Sequence, residues 1–423
     1  MKIRSILFIL GVTFSQFSLA QQTLPRDPDC CTSIMVGKLA STDGSVMTSH
    51  TCDSWYRTWV NVVPAADFAN DTVMNIYDGR MHTESVNDQT KLTVKGQIPQ
   101  AKHTYAFLDT AYPCLNEKQL AMGETTISGR DTLRNPKGMF MIEELARVAL
   151  QRCTTARDAI QLMGKLVKEY GYGDSGECLT IADPKEVWHF EIFGEGPDQI
   201  GGVWAAVRIP DDEVGVSANI SRISTLNLKD TRNYMASENV FSVAKKLKLW
   251  DGKEPFKFWK VYGGPNYFGK MQAFSIREFF ILSTLAPSLK LSMDDEELPL
   301  SVKPEKKISN ADVMAYLRQT YEGTEWSVTK NLKVAVKDRK TGKTDTITSP
   351  RANPWMRTDE VQLFNALQKG AVTANRNVAV PQCAYSTVIQ LRDWLPDAVG
   401  AVCWFGMDNP GQSPRGPIFC GTT

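Results

Sequence analysis

The stretch Cys31-Thr-Ser-Ile-Met-Val-Gly-Lys38, followed by Ser41-Thr-Asp-Gly-Ser-Val-Met47 and Ser49-His-Thr-Cys-Asp53, decides the fold prediction. Segments 32–38 and 45–50 carry the apolar and β-branched residues of strands and flank Asp43-Gly44, a strong tight-turn signal. The pattern predicts a β-hairpin with Cys31 at its open end. A two-residue turn would set Ile34 opposite Asp53, about 10 Å along the strand from Cys31, whereas a wider 41–44 loop would bring Asp53 closer.

The residues before Cys31 are typical of a leader that is removed. Lys2 and Arg4 precede an apolar run at 6–14, and small residues at 18–20 suit a cleavage site, so residues 1–20 are predicted to be a signal peptide. Residues 21–30 are polar, carry two prolines and are predicted to be a short propeptide. We therefore expect an exported protein, periplasmic or secreted, with one domain over 31–423. No later stretch is apolar for long enough to cross a bilayer.

Charge and cysteine content exclude some partners. The 48 Lys and Arg residues balance 47 Asp and Glu residues, which leaves no net field for nucleic acid or an anionic membrane. Nine cysteines are an odd number, so in an oxidising compartment at least one thiol stays unpaired. A homo-oligomer is compatible with the sequence, but no pattern indicates how chains would assemble.

The rest of the chain predicts helices followed mainly by strands. Two amphipathic helices are predicted at 139–153 and 155–170, the second capped by Thr155. The region 230–307 is mixed in character and is predicted to be an insertion or subdomain without assigned chemistry. The predicted strands are 178–182, 187–193, 203–209 and 214–220, joined as an antiparallel meander, and later 385–391, 398–405 and 417–420.

Motifs for cofactors and metals are missing from the sequence. Gly171 to Gly176 spells a dinucleotide fingerprint, but a helix is predicted before it and a strand after it, the reverse of the required order. There is no Walker loop, no His-Glu-x-x-His and no Cys-x-x-Cys, and the four histidines are scattered along the chain. The sequence therefore predicts neither a cofactor nor a metal site.

Cys31 is the candidate nucleophile because cleavage before it would free an α-amine beside its thiol. An α-amine has a pKa near 7.7–8.0 and a thiol about 8.5, so the amine can take the thiol proton near neutral pH. Asp53 could hold the resulting ammonium, and Asn219, at a strand end, could donate to an oxyanion. The alternatives are a structural or disulfide-bonded cysteine, a solvated carboxylate and a turn asparagine. Cys30 is an adjacent rival for the nucleophile.

Several ordered motifs resemble one family. They are Cys31–Lys38, Ser41–Met47, Ser49–Asp53, Asn116-Glu117 with Met122–Thr125, Ile181–Asp183 with Glu186–Trp188, Trp204–Pro210, Ser217–Asn219 and Trp404–Asp408. Together they resemble the PepD-type cysteine dipeptidases, which are similar to secernins and distantly to penicillin V and bile-salt acylases.

The resemblance implies an α+β fold, a four-layer αββα sandwich of the N-terminal nucleophile hydrolase type. It also implies self-maturation at the bond before the nucleophile and metal-free hydrolysis of dipeptides. On that pattern Cys31, followed by Thr32 as in the family, is the nucleophile, Asp53 the carboxylate beside it and Asn219 an oxyanion-hole donor.

Two departures from the family pattern leave alternatives open. Related amidases carry Arg three residues before the aspartate, where this chain has His50. The sequence also stops where the family would be expected to continue, so a truncated C-terminus is one alternative. The predicted function is an exported cysteine dipeptidase acting on short peptides. The alternatives are an amidase of the penicillin or bile-salt acylase kind, acting on N-acylated substrates, and an inactive exported binding protein of the same fold.

Overall fold

The computed structural model describes residues 30–197, 199–264, 271–373 and 375–422. The predicted signal peptide and the predicted propeptide up to residue 29 lie outside these ranges. The architecture is mixed α/β, with two large antiparallel sheets and helices packed on them.

The helices and strands follow in chain order. Within the described ranges the strands are β1 (Cys30–Val36), β2 (Val46–Asp53), β3 (Asn61–Val63), β4 (Ala66–Asp67), β5 (Val73–Asp78), β6 (Thr93–Pro99), β7 (His103–Thr104), β8 (Phe107–Asp109), β9 (Leu115–Asn116), β10 (Ala121–Thr126), β11 (Glu177–Ala182), β12 (Val187–Gly194), β13 (Gly202–Arg208), β14 (Val214–Ser217), β15 (Tyr234–Ala236), β16 (Ser301–Val302), β17 (Lys333–Lys337), β18 (Thr344–Thr348), β19 (Cys383–Leu391), β20 (Val402–Met407) and β21 (Gly416–Phe419). The helices there are α1 (Ile142–Arg152), α2 (Ala156–Tyr170), α3 (Val240–Lys246), α4 (Phe258–Tyr262), α5 (Ile276–Leu285), α6 (Asn310–Tyr316), α7 (Thr358–Leu367) and α8 (Asp397–Gly400).

Two sheets contain most of these strands. The seven-stranded sheet has the order β16-β14-β1-β2-β19-β20-β21, and the eight-stranded sheet has the order β15-β13-β12-β11-β10-β9-β8-β3. The ribbons β4-β7, β5-β6 and β17-β18 complete the described strands. Strand β1 therefore lies inside the first sheet, between β14 and β2.

The predicted hairpin is confirmed, and of the two connections considered the wider loop, which brings Asp53 closer to Cys31, is the one found. Strands β1 and β2 pair antiparallel with Cys30 opposite Asp53, rather than Ile34 opposite Asp53. The connecting segment 37–45 does not close as a two-residue turn, because its backbone bonds elsewhere. The Leu39 and Ala40 N–H groups donate to the Asp211 carbonyl at 2.7 and 3.0 Å, and segment 41–42 pairs with Ile308.

The two sheets face each other through a partly polar interface. The Thr48 and Thr180 hydroxyl oxygens lie 2.6 Å apart, and those of Thr125 and Ser217 lie 2.7 Å apart. At Gly123 of β10 an added Cβ would lie 2.3 Å from the Ser49 carbonyl oxygen. The missing side chain therefore lets β10 approach β2 closely.

Helices cover the outward faces of both sheets. Helix α2 packs on β11 and β13 of the eight-stranded sheet, while α5 and α6 pack on β14 and β19 of the seven-stranded sheet. One buried cluster joins Ile34, Val216 and Val388 of the seven-stranded sheet to Leu282 of α5 and Val313 of α6. Burying these apolar side chains stabilises the layers at roughly 25 cal/mol per Å².

The predicted meander is confirmed for three strands and wrong for the fourth. Strands β11, β12 and β13 pair in sequence, but β14 enters the other sheet and pairs with β1 and β16. The short link at 210–212 thus crosses between sheets. In β14, Val214 lies opposite Val36 of β1 and Val216 lies opposite Ile34.

The predicted late strands correspond to β19, β20 and β21. Residues 398–400, predicted as the start of a strand, belong instead to α8. The region 230–307 supplies β15 to one sheet, β16 to the other, and helices α3, α4 and α5. No helix among the described residues is both long and apolar enough to cross a membrane.

Both helices predicted in the middle of the chain are confirmed, with α2 the clearer case. Thr155 caps it by accepting a hydrogen bond from the Asp158 N–H at 3.1 Å. The buried side of α2 includes Ile160, Met163 and Val167, which are fully buried, whereas Lys165 is exposed. The amphipathic pattern thus sets which face of α2 meets the sheet.

Ile160→Ala should lower the free energy of unfolding by about 2–5 kcal/mol, because it removes a fully buried side chain and leaves a cavity. The matched control on the same helix is Lys165→Ala, which should stay within about 0.5 kcal/mol of the parent. Urea unfolding followed by fluorescence measures both. Equal midpoints for the two variants would contradict this packing of α2.

Candidate active site

Cys31 lies on β1, with its side chain directed into the space between the two sheets. The residue is fully buried. Burial raises the pKa of the Cys31 thiol well above its ordinary value, and the nearby Glu124 and Asp53 carboxylates add to the rise. In the uncleaved chain the Cys31 thiol is therefore protonated, and the main-chain nitrogen of Cys31 is a peptide N–H.

Asn219 contacts the Cys31 nitrogen directly. The Cys31 N–H donates to Asn219 Oδ1 at 2.8 Å, and Asn219 Nδ2 donates to the Thr126 carbonyl at 2.7 Å. Asn219 follows β14 with φ of 63°, a left-handed conformation that asparagine tolerates better than most residues. Strand pairing of β14 with β1 brings the two residues together across 188 positions of sequence. The structure thus places Asn219 against Cys31, and its role as an oxyanion-hole donor stays a prediction.

Arg277 holds this segment in place from α5. Its Nη1 donates to the Cys31 carbonyl at 2.6 Å and to the Thr32 hydroxyl at 3.1 Å. Its Nη2 donates to the Ala218 carbonyl at 3.0 Å and to Asn219 Oδ1 at 2.8 Å. A guanidinium has donors only, so the Asn219 atom facing it must be the oxygen. Arg277 thereby fixes the orientation of the Asn219 amide.

The helix start aims Arg277 at the site. Ser275 caps α5 in a capping box with Glu278, and Glu278 also accepts a hydrogen bond from the Ala218 N–H at 2.9 Å. Sequence reasoning missed Arg277, because it lies in the region 230–307 and no local motif marks it. The capping pattern Ser-x-x-Glu would have indicated the helix start, but not what its arginine contacts.

Asp53 lies opposite Cys30, the residue before Cys31 on β1. Its Oδ2 accepts from Arg376 at 2.6 Å and from the Thr51 hydroxyl at 3.1 Å, while its buried Oδ1 has no partner among the described residues. Burial lowers the pKa of Arg376, but the attraction of Asp53 more than offsets this and the net shift is upward. Sequence reasoning also missed Arg376, 323 residues away from its partner.

His50 and Glu124 approach the thiol from the sheet interface. The Sγ of Cys31, a ring nitrogen of His50 and a carboxylate oxygen of Glu124 lie within 4.8 Å of one another. Burial lowers the pKa of His50 to about 4, so the imidazole is neutral at pH 7. Burial raises the pKa of Glu124 to about 7 and raises that of the adjacent Glu177 further above its ordinary range. The sequence identified His50 as a departure from the family, but not as a neighbour of the thiol.

A cavity of about 500 Å³ opens beside Cys30 and Asn219. Its wall includes Cys30, Asn219, Arg277 and Arg376, and Cys30 precedes Cys31 on β1. Apolar residues such as Trp326 and Met356 line the rest. The cavity is therefore a suitable place for a small substrate with polar and apolar parts.

Sequence comparison finds dipeptidases among the proteins that are similar to this chain. A probable dipeptidase of Latilactobacillus sakei is 26% identical over 394 residues, which cover 92% of this chain and 74% of that protein. A probable dipeptidase of Salmonella dublin is 26% identical over 408 residues, covering 92% of this chain and 81% of that one. A probable dipeptidase B of Streptococcus pyogenes serotype M3 is 32% identical over 182 residues, covering 42% and 34%. The family model of peptidase family C69 matches residues 30–423. The chain belongs to peptidase family C69.

Proposed function

We propose that this chain is an exported cysteine dipeptidase whose Cys31 thiol attacks the scissile bond after the residues before it are removed. The observation that carries the proposal is the convergence of Asn219 and Arg277 on Cys31. Both contact its main-chain atoms at 2.6–2.8 Å, at the edge of a cavity large enough for a short peptide. The names of the similar proteins, probable dipeptidase and probable dipeptidase B, support a dipeptide as the substrate.

The fold supports an N-terminal nucleophile hydrolase. Helices lie on the outer face of each antiparallel sheet and the two sheets face each other, as in a four-layer αββα sandwich. Cys31 is the second residue of a strand inside one sheet, so a chain that began there would present its amine and thiol at the strand end.

Maturation would use the same thiol. The Cys31 sulfur attacks the carbonyl carbon of Cys30, the peptide bond between them breaks, and the nitrogen takes up the thiol proton. Water then hydrolyses the thioester, which releases residue 30 as a carboxylic acid and leaves Cys31 with a free α-amine. The position of Cys30 in the cavity wall supports this step, since its removal would open the cavity to Cys31.

In peptide hydrolysis the bonds would form and break in the same order. The free amine accepts the thiol proton, the thiolate attacks the scissile carbonyl, and the amine then protonates the leaving group. Water hydrolyses the resulting thioester, which releases the acyl group as a carboxylic acid and restores the thiol. Asn219 Nδ2 has two N–H groups, of which one is bonded to Thr126, so the other can donate to the oxyanion. Asp53, with one carboxylate oxygen unpartnered, would hold the charged amine.

The nucleophile prediction compares two adjacent cysteines. Cys31→Ala should abolish dipeptide hydrolysis, because nothing else supplies the covalent intermediate, and should leave the leader attached. Cys30→Ala should still mature and hydrolyse dipeptides. Intact mass and N-terminal sequencing give the first residue, and a coupled amino-acid assay gives the rate, with N-acylated amino acids compared as amidase substrates. An active preparation that begins before Cys31, or an active Cys31→Ala variant, would show the mechanism to be wrong.

Asn219→Ala should lower kcat by roughly 100- to 1000-fold with little change in KM, because its free N–H would act on charge that develops only in the transition state. The control is Asn219→Gly, which also removes the amide but relieves any strain at φ of 63°. Steady-state kinetics on one dipeptide measure both variants. A raised KM with kcat retained would assign Asn219 to ground-state binding instead.

Asp53 can be tested by a double-mutant cycle with Arg376. Asp53→Asn takes the carboxylate charge away from the partly buried Arg376 guanidinium and should destabilise the protein by about 1–3 kcal/mol. Adding Arg376→Gln should recover most of that stability, measured by urea unfolding. If Asp53 also holds the amine, the double variant should regain stability but not activity. Recovery of both would limit Asp53 to a structural role.

A further inference from the structure

Cys31, His50 and Glu124 form a cluster of three different donor types on three strands. Cys31 lies on β1, His50 on β2 and Glu124 on β10, so two sheets contribute to the cluster. All three residues are at least 98% buried. Their donor atoms lie within 4.8 Å of one another, and His50 Nδ1 is 4.0 Å from Glu124 Oε2.

One of these donors lacks a partner. His50 Nε2 is a buried polar atom without a hydrogen bond among the described residues. The Glu124 carboxylate, in contrast, is hydrogen-bonded to the Thr126 hydroxyl and to the side chains of Glu177 and Cys31. Buried polar atoms are nearly always paired, and leaving one unpaired costs about 1–3 kcal/mol. The unpaired imidazole nitrogen beside an ionisable thiol and carboxylate indicates that a ligand can complete the cluster.

The chemistry of the donors favours a transition-metal cation. His50 Nδ1 faces the Glu124 main chain, 2.7 Å from its carbonyl oxygen and 3.1 Å from its amide nitrogen, and the tautomer with the proton on Nδ1 makes the shorter of these contacts a hydrogen bond. The lone pair is then on Nε2. Histidines that bind metals commonly donate their other ring N–H to a carbonyl in this way. A thiolate, an imidazole and a carboxylate are the ligands that Zn²⁺ takes in proteins.

The distances fit after a small movement. Ligand atoms on a tetrahedral Zn²⁺ lie roughly 3.5 Å apart, so donors within 4.8 Å need to move inward by about 1 Å. Three protein ligands leave a fourth position open.

A second cysteine–histidine–glutamate group shows the contrast. Cys178, His189 and Glu191 also lie together, with His189 Nε2 2.7 Å from Glu191 Oε1. Both Glu191 oxygens accept further hydrogen bonds, from the Ser221 hydroxyl and the Arg222 N–H. That group is saturated by the protein itself and needs no ligand.

We propose that Cys31, His50 and Glu124 form a binding site for a thiophilic divalent cation such as Zn²⁺, and that its binding inhibits the peptidase by occupying the thiol. Metal binding stands on the cluster alone, whereas inhibition rests on the proposed function of Cys31. The cation replaces the thiol proton, which is released to water, and no electron transfer is involved.

Co²⁺ reports thiolate ligation directly, because it gives a sulfur-to-cobalt charge-transfer band. Titrating chelator-treated protein under nitrogen should give this band with one Co²⁺ per chain, and Zn²⁺ should remove it. Cys31→Ser should abolish the band, and His50→Gln and Glu124→Gln should each weaken Co²⁺ binding at least about 10-fold. The matched control is Cys178→Ser, which should keep the band. The proposed site would be overturned if the parent protein gave no charge-transfer band, or if Cys31→Ser kept the band.

Zinc X-ray absorption on the unmodified chain avoids any loss of folding in the variants. It should show one sulfur at about 2.3 Å together with nitrogen or oxygen ligands, and a shell without sulfur would overturn the site. Activity separates the two proposals. A dipeptidase that Zn²⁺ inhibits and a chelator restores supports both, and an active enzyme unaffected by bound Zn²⁺ overturns inhibition. A chain that binds Co²⁺ through Cys31 but hydrolyses no dipeptide keeps the site and overturns the proposed function.

Discussion

The guanidinium of Arg277 is the interaction on which the site depends. It donates to the Cys31 carbonyl, the Thr32 hydroxyl, the Ala218 carbonyl and the Asn219 side chain, and so ties β1 to the end of β14. A buried charge is costly unless hydrogen bonds replace its hydration, and here several backbone and side-chain oxygens do so. Because the fork of donors is rigid and planar, the acceptors cannot shift independently. The Asn219 amide therefore keeps one orientation toward Cys31.

The alternation of side chains along β1 divides the surroundings of Cys31 into two environments. Cys30 and Thr32 point toward the cavity and α5, where Arg277 donates hydrogen bonds to the Cys31 carbonyl and the Thr32 hydroxyl. The thiol points the other way, toward His50 and Glu124 between the sheets. One residue thus meets charged groups on one face and neutral or weakly charged groups on the other. This separation follows from the two-residue period of a strand.

The sequence predicted elements more successfully than the contacts between distant elements. Helix α2 was predictable because its N-cap and its apolar period are local signals, and strands β11 to β13 were predictable for the same reason. The hairpin register was not, since the segment 37–45 bonds to residues far away in sequence. Strand β14 pairs with the edge of β1 that β2 does not occupy, and no local sequence pattern predicts that pairing.

The site shows the same limit. Cys31, Asp53 and Asn219 were found through chemistry and family resemblance, and the structure brings all three to the open end of β1. Arg277 and Arg376 were missed because their partners are 246 and 323 residues away.

The ribosome synthesises Cys31 long before either arginine. The Cys31 carbonyl therefore has no arginine partner until most of the chain has been made. Contacts of such sequence separation form late and slowly in folding. The geometry around Cys31 is thus coupled to completion of the fold, and a chain cut short before α5 would leave the Cys31 carbonyl and the Asn219 amide without the arginine that holds them.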